Sequence, residues 1–425
     1  MTPGRLAAIC AARVFLFATF MTVAAVIPLL MQEWRLTAAA AGAIVSSFTV
    51  SYALSVFGFA WAADHFGAKR MVMASALAAA ASGAAFAFLA RDWSSAIGLY
   101  ALVGLAQGGV YTPLIMVIAD EVAPARRGSA MGWLIASTSI GYAGSLGAAA
   151  IGVSLGGLKV AFLLSGLLPA LGAAMLVAAL HPFANRVHRR APGGGGLADE
   201  LLKNRESRLL TLGYTGHSWE VVGMWAWIPA FLAAGFALKG AEAAGATVSG
   251  AWLAGLLHVF GAAAAFTMGR LSDRAGRRPV LVTLAAAGAL VSFTLGWLVY
   301  APSIVLVPLA VAYAFVTLGD SPVLTTAISE AVRPAYLGGV LAWRGLAGFG
   351  AGAIAPLAVG MVLDGFVSRG PIVSWGLGFA TLGLGGAAAL ACALLLRQHR
   401  PHAVAHRPHD VAGKRVAHEK RKQHE

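Results

Sequence analysis

The sequence predicts an all-α membrane protein with twelve transmembrane helices in two pseudo-symmetric six-helix bundles. Three observations predict it. Of 425 residues, 59% are hydrophobic and 11% charged, with a mean hydropathy of +0.77. A soluble chain of this length cannot bury that much apolar surface, so the bilayer must act as solvent. The apolar residues fall into twelve stretches, each long enough for the roughly 20 residues that a span requires. A polar signature also occurs twice, as Asp64-His65-Phe66-Gly67-Ala68-Lys69-Arg70 after the second stretch and as Asp273-Arg274-Ala275-Gly276-Arg277-Arg278 after the eighth.

In order, span 1 (near 8–31) closes on Ile27-Pro28, and span 2 (38–62) runs into the Asp64 signature, beyond which span 3 (71–90) begins. Span 4 (94–119) ends before the turn containing Pro124 and Gly128, which leads into span 5 (129–154) and its Trp133; Lys159 opens span 6 (158–181). The second half repeats this plan. Span 7 (208–235) carries Ile228-Pro229, span 8 (247–268) leads to the Asp273 signature, and span 9 (279–300) follows it. Span 10 (303–329) precedes Pro334 and Gly338, which match Pro124 and Gly128; span 11 (336–362) contains Trp343, matching Trp133; span 12 (373–396) closes the set. Abundant Gly and Ala suit close approach of helices inside a bundle.

These boundaries divide the chain into a first bundle (1–181), a basic linker (182–207), a second bundle (208–396) and a basic tail (397–425). The linker holds Arg186, Arg189, Arg190 and a flexible run from Gly193 to Gly196, and Leu197 to Arg208 can form a short interfacial helix. The tail carries His399, His402, His406, His409, His418 and His424 and reads as a topology anchor, with anionic lipid or metal binding as the alternative.

With the N-terminus inside, the external loops hold only Arg35, Arg91, Lys159, Lys239 and Arg369 of the 31 Lys and Arg, and Arg13 and Arg344 lie within spans. The positive-inside rule therefore places both termini in the cytoplasm. It also accounts for the formal charge of +14 without any nucleic-acid partner. The first apolar stretch is of spanning length and lacks a clear cleavage site, so no cleaved leader is expected. Cys10 and Cys392 fall near cytoplasmic helix ends, where a structural disulfide is not expected. High Ala and Gly content points to a bacterial inner membrane.

The two signature loops give the chain a resemblance to the major facilitator superfamily (MFS) across nearly its whole length. Gly269, Asp273, Arg274, Gly276, Arg277 and Arg278 fit the family's loop pattern closely, whereas Asp64, Gly67, Lys69 and Arg70 keep it with Ala60, His65 and Ala68 at altered positions. The resemblance implies the family's fold and alternating access, with these loop residues as gates or braces. A Gly allows the tight turn, and a carboxylate can meet basic side chains or a helix N-terminus. Span 5 lacks the proline of the proton–drug exchangers' motif, and span 4 lacks their arginine. Spans 2 and 8 lack the arginines of a nitrate site.

Ionisable groups in a bilayer are costly and usually mark function. Here they are Arg13, His217, Glu220, His258, Asp320 and Arg344; the outer spans 3, 6, 9 and 12 carry none beyond Lys159. Counted at ~1.5 Å per residue, Glu220 lies ~18 Å, His217 and His258 ~15 Å, and Asp320 and Arg344 ~12–15 Å from the cytoplasmic end. Tyr214, His217, Glu220, Met224 and Trp227 recur at three- and four-residue spacing, which places them on one face of span 7. In span 10, Tyr313, Thr317 and Asp320 form a second stripe, beside Pro322, which can break the helix. Span 4 adds the uncharged Gln107 and Tyr111.

Glu220 and Asp320 are thus expected as proton-coupling acids with His217 and His258 as relays, and Arg13 and Arg344 as ligands of an anion. The alternative for the same residues is a static network in which the arginines and acids neutralise each other. No phosphate-binding glycine loop or metal-ligand spacing occurs, so neither a cofactor nor enzymatic chemistry is expected. The resulting expectation is a monomeric, proton-coupled symporter of a small, preferably anionic solute. Proton-driven efflux of amphipathic cations and a non-transporting sensor or scaffold are the alternatives.

Overall fold

The computed structural model describes residues 1–187, 196–333 and 336–397. Arg189, Arg190 and Gly193 of the linker, Pro334, and the histidines of the tail lie outside the described residues. Helices α1 (Pro3–Leu16) and α2 (Thr22–Glu33) make the first crossing and are joined through a 3-10 turn at Phe17–Thr19. Helices α3 (Ala38–Phe66) and α4 (Ala68–Leu89) make the next two. The fourth crossing is again broken, into α5 (Trp93–Gln107) and α6 (Thr112–Glu121) around Gly108–Val110. Helix α7 (Pro124–Leu180) follows, and then the short α8 (Leu197–Leu202) in the linker. The second half comprises α9 (Arg205–Ala237), α10 (Ala243–Ala275), α11 (Arg277–Leu295), α12 (Ser303–Ala331), α13 (Leu337–Gly365) and α14 (Pro371–Leu395).

Eleven helical segments among the described residues are long and apolar enough to cross a membrane. The 57-residue α7 is the reason the count is eleven and the crossings twelve. A straight helix of that length would extend ~85 Å, far beyond a hydrocarbon core of ~30 Å. It reverses at Gly156 and Gly157, where Gly157 takes a φ of 71° that a side chain would disfavour. Gly152 then packs against the backbone of Val160 and Ala161 on the returning limb.

Two details depart from the sequence expectations. The linker helix stops at Leu202 rather than extending to Arg208, because Asn204 caps a new helix: its Oδ1 accepts from Ser207 N at 3.2 Å. Pro322 does not break α12, which is continuous across it.

The two bundles meet mainly through α3 against α13 and α7 against α10. On the side opposite α8, here the far side, Gly42 lies on the Pro356 and Leu357 backbone and Gly360 on Ala38 and Ala39. Asp364 closes this contact. Its two carboxylate oxygens accept from Ala38 N and Ala39 N, each at 2.8 Å, while Thr37 Oγ1 takes Ala40 N at 3.2 Å. A side chain of the second bundle thereby satisfies two of the free N–H groups that begin α3 and places its negative charge at that helix's positive end. About two turns deeper, Leu357 N donates to Ser46 Oγ at 3.2 Å.

Toward the side that carries α8, the linker side, the same faces separate. About three turns along from Ser46, Ala143, Gly255 and Pro356 stand Phe57, Gly132, Phe266 and Gly345, respectively. Phe57 is 55% and Phe266 60% exposed. A Cβ at Gly132 or Gly345 would find nothing within 4 Å. The bundles are closed on the far side and open on the linker side.

The signature loops brace this side, each within its own half. Gly67 and Gly276 both turn the chain at φ 91°. Lys69 Nζ donates to the carbonyls of His181 (2.9 Å) and Phe183 (2.6 Å), and Asn185 bridges Phe66 O and Arg70 N. In the second copy, Arg277 pairs with Asp273 at 2.6 Å and Glu330 at 2.8 Å, and Arg278 donates to Leu394 O. Arg270 lies over the Phe266 ring, 4.0 Å from its centroid, and Arg274 projects from the last turn of α10. Helix α8 is held to the second bundle through Glu200, which pairs with Arg333 and accepts from Asn204 Nδ2 at 2.8 Å.

Two expected outcomes follow from these contacts. Asp364→Asn should weaken the far-side closure by about the 0.5–2 kcal/mol of a helix cap, roughly a 2–30-fold change in the ratio of states. In a variant lacking Cys10 and Cys392, Ser46→Cys should then react faster with an impermeant thiol reagent applied to the far side; an unchanged rate would refute the role. Separately, the Asn204 amide and then the Arg333 guanidinium hold Glu200 below its usual value of 4.5. The tie of α8 is therefore complete above that usual value and is lost only as pH falls through the lowered one. The protection factors of amides 197–202 against hydrogen exchange, which remove the intrinsic pH dependence of the rate, should be equal at pH 7 and pH 5.5 in the wild type and lower at both in Glu200→Gln.

Candidate functional site

The opening between the bundles ends in a layer of rings contributed by both halves. Tyr142 stacks on Phe20 at 4.3 Å between centroids and stands 5.5 Å from both Trp225 and His258 across the interface. Tyr52 meets Phe349 edge-on at 6.0 Å. Counted along the helices from the linker side, these rings lie ~18–30 Å deep, whereas Arg13, Tyr111, Tyr214 and Arg344 lie ~10–15 Å deep. The four residues stand above a closed aromatic floor.

Arg13 is 1% exposed, in the last turn of α1 before the break at Phe17. Its Nη1 donates to Leu134 O at 2.5 Å, and its guanidinium lies 5.1 Å from the Phe17 ring and 5.6 Å from the Tyr111 ring. Nε and Nη2 have no hydrogen-bond partner. Arg344, 8% exposed, belongs to the other bundle. It stacks over Tyr214 at 4.1 Å and donates from Nη2 to Thr325 Oγ1 at 3.2 Å, with Nε and Nη1 left unpartnered. Tyr111 lies within electrostatic range of both arginines. Among the described residues, no carboxylate reaches either guanidinium, so the static arginine–acid network is not what the structure contains.

The acids have other partners. His217 Nδ1 lies 2.9 Å from Asp320 Oδ1, and its Nε2 lies 2.9 Å from Ser321 Oγ. Thr325 Oγ1 donates to Ser321 O at 2.8 Å and accepts from Arg344. Ser321 thus meets His217 with its hydroxyl and Thr325 with its backbone carbonyl, so Arg344 and the His217–Asp320 pair both lean on the same turn of α12. Glu220 faces the interior of the second bundle. Ser292 Oγ is 2.6 Å from both Glu220 Oε1 and Tyr313 Oη, and Gly288 and Gly386 leave room for the carboxylate.

The five-residue stripe on α9 therefore does not form one functional face. At about 100° per residue, steps of three and four drift, and Trp227 ends ~140° around the helix from Tyr214. Each member meets a different neighbour: Tyr214 meets α13, His217 meets α12, and Glu220 meets α11 and α12. Trp227 is buried in the core, donating Nε1 to Pro356 O at 2.9 Å. Gln107 also sits apart from the opening, with Nε2 donating to Leu16 O and Thr19 Oγ1, where it ties the two broken crossings together. His258 is part of the aromatic floor.

Three participants had escaped the sequence reading. Ser292 lies on an outer helix and is uncharged, so nothing in its apolar run sets it apart. Tyr52 stands in a span without charges. The breaks at Phe17–Thr19 and Gly108–Val110 interrupt the helices beside the site, and of the two only the second has a signal in the sequence, in Gly108, Gly109 and Pro113. Among the described residues, no group of three His, Cys, Asp or Glu side chains could hold a metal ion.

The family model described as Major Facilitator Superfamily matches residues 9–356. No curated protein matches the sequence. Among solved structures, a point mutant of the nucleoside transporter NupG aligns with a TM-score of 0.74 at 14% identity, covering 92% of this chain and 100% of that one. A bacterial homologue of the human lysosomal transporter Spinster, inward-facing and unoccupied, aligns at 0.72 with 16% identity over 93% and 96% of the two chains. The peptide transporter POT in complex with sulfate gives 0.65 with 18% identity over 92% and 93%. At these identities the likeness is one of fold.

Proposed function

The chain belongs to the major facilitator superfamily, and from that premise we propose that it is a proton-coupled symporter of a small organic anion. The observation that carries this reading is the pair of buried, unpartnered guanidiniums, one in each bundle. A buried charge without a counter-charge costs several kcal/mol, and an anion bridging Arg13 and Arg344 would offset that cost. Tyr111 and Tyr214 beside the arginines would pack on an organic body, and the aromatic floor would block its passage until the bundles rock.

The acids support the coupling. Because His217, beside Asp320, and Thr325, which holds Arg344, both contact Ser321 on one turn of α12, a change in Asp320 protonation that shifts this turn would reach an arginine that holds the solute. Efflux of cations is the weaker reading, since Glu220 is enclosed by α11, α12 and α14 and cannot serve as a cation ligand in the opening. We assign the linker side to the cytoplasm of a bacterial inner membrane on the positive-inside rule. The conformation described above is then the inward-open one, and the monomer is the working unit.

Proteoliposomes carrying a trapped pH dye test the reading. Organic anions, screened singly, should include one that drives proton movement, and Asp320→Asn should abolish that movement. Arg13→Gln and Arg344→Gln should each reduce uptake by about 10–100-fold, as loss of a charged hydrogen bond would. Uptake of an anion without proton movement would sink the coupling, and a response to lipophilic cations alone would sink the substrate class.

A further inference from the structure

A narrow cleft, with room inside for no more than about one water, enters the second bundle between α9, α11, α12 and α14. It does not lie between the bundles. Leu209, Leu281 and Leu396, at the linker-side ends of their helices, form its outer part, and Gly213, Ala389 and Cys392 line it further in. Asp320 is the innermost of its described lining residues and the one charged group among them. Asp320 is 6% exposed, and its Oδ1, although 2.9 Å from His217 Nδ1, has no aligned hydrogen-bond donor.

We propose that protons reach Asp320 from the linker side through this cavity, by a route inside one bundle and separate from the path of the solute. The inference rests on the proton-coupling reading above and adds where the proton travels. A carboxylate that lines the inner end of a passage admitting a single water can be reached by that water, which can deliver or accept a proton. The titratable groups that face Asp320 are few. Helix α9 supplies His217, with Glu220 and Tyr214 within electrostatic range. Helix α14 supplies Cys392, whereas α11 supplies only the apolar Leu281 and Ala285 to the lining. Asp320 thus has His217 on one side and the cavity on the other. This separation would let a proton leave to the linker side while the solute still fills the opening between the bundles.

Cys392 gives a direct test, because it can be modified in the folded protein. In a Cys10→Ser background, a small methanethiosulfonate reagent would be attached to Cys392, its completeness read by mass. Modification should slow solute-driven proton movement at least about tenfold while solute counterflow, which needs no net proton transfer, stays within about twofold. A Cys10→Ser/Cys392→Ser variant should be insensitive. If Cys392 resists the reagent, Ala389→Leu fills the same cavity and should give the same split between the two assays. Full modification with neither rate changed, or with both falling together, would overturn the separate route. Absence of proton movement in the unmodified protein would instead overturn the coupling reading, and this route with it.

Discussion

A guanidinium buried within a bilayer needs acceptors for its donors and a counter-charge for its cation, and this protein withholds part of both from two arginines. Arg13 keeps one carbonyl and two aromatic faces; Arg344 keeps one hydroxyl and one aromatic face. Cation–π contacts of this kind are worth about 0.5–2 kcal/mol and cannot balance the desolvation of a charge. The deficit lies at the level where the bundles diverge, and it is divided between them. On the proposed reading, a solute that completes both arginines also draws the two halves together, so binding and the conformational change share one source of free energy.

The rest of the architecture can be read as support for that arrangement. Broken crossings place Arg13 and Tyr111 at helix ends rather than in mid-helix, and Gln107 and Ser145 hold the broken backbone in place. The far-side closure depends on small residues that let α3 and α13 touch, and on Asp364, whose carboxylate is shared with the opposite bundle. On the linker side, the signature loops use their charges to stiffen each half rather than to join them: Lys69 caps the end of the sixth crossing and Arg277 pairs with Glu330 of α12. Stiff halves that, among the described residues, touch only on the far side and at the aromatic floor suit motion as two rigid bodies.

Much of the fold was legible in the sequence because hydropathy, the two Gly-turn signatures and the repeated polar turns are local signals. The ionisable residues were legible too, since a charge in an apolar run is conspicuous. Their pairing was not. Helical spacing put Tyr214, His217, Glu220 and Trp227 on one stripe, but which neighbour each side chain meets depends on helix packing, which spacing does not encode. The alternative of a static network, with Asp320 and Glu220 neutralising Arg13 and Arg344, is absent for the same reason, since His217 and Ser292 are the partners that packing gives those acids. Asp364 lies just beyond span 11 and outside both signature loops, so no local pattern marks it; its role needs the start of α3, 326 residues away at Ala38.

Thermal stabilisation of the purified protein by a panel of organic anions and cations tests the two-arginine site most directly, because it reads binding without transport. The account predicts that one or more anions raise the unfolding temperature of the wild type. It also predicts that the shift disappears in Arg13→Gln and in Arg344→Gln alike, because the solute needs both bundles. Stabilisation by cations, or an anion-dependent shift that survives loss of either arginine, would contradict it.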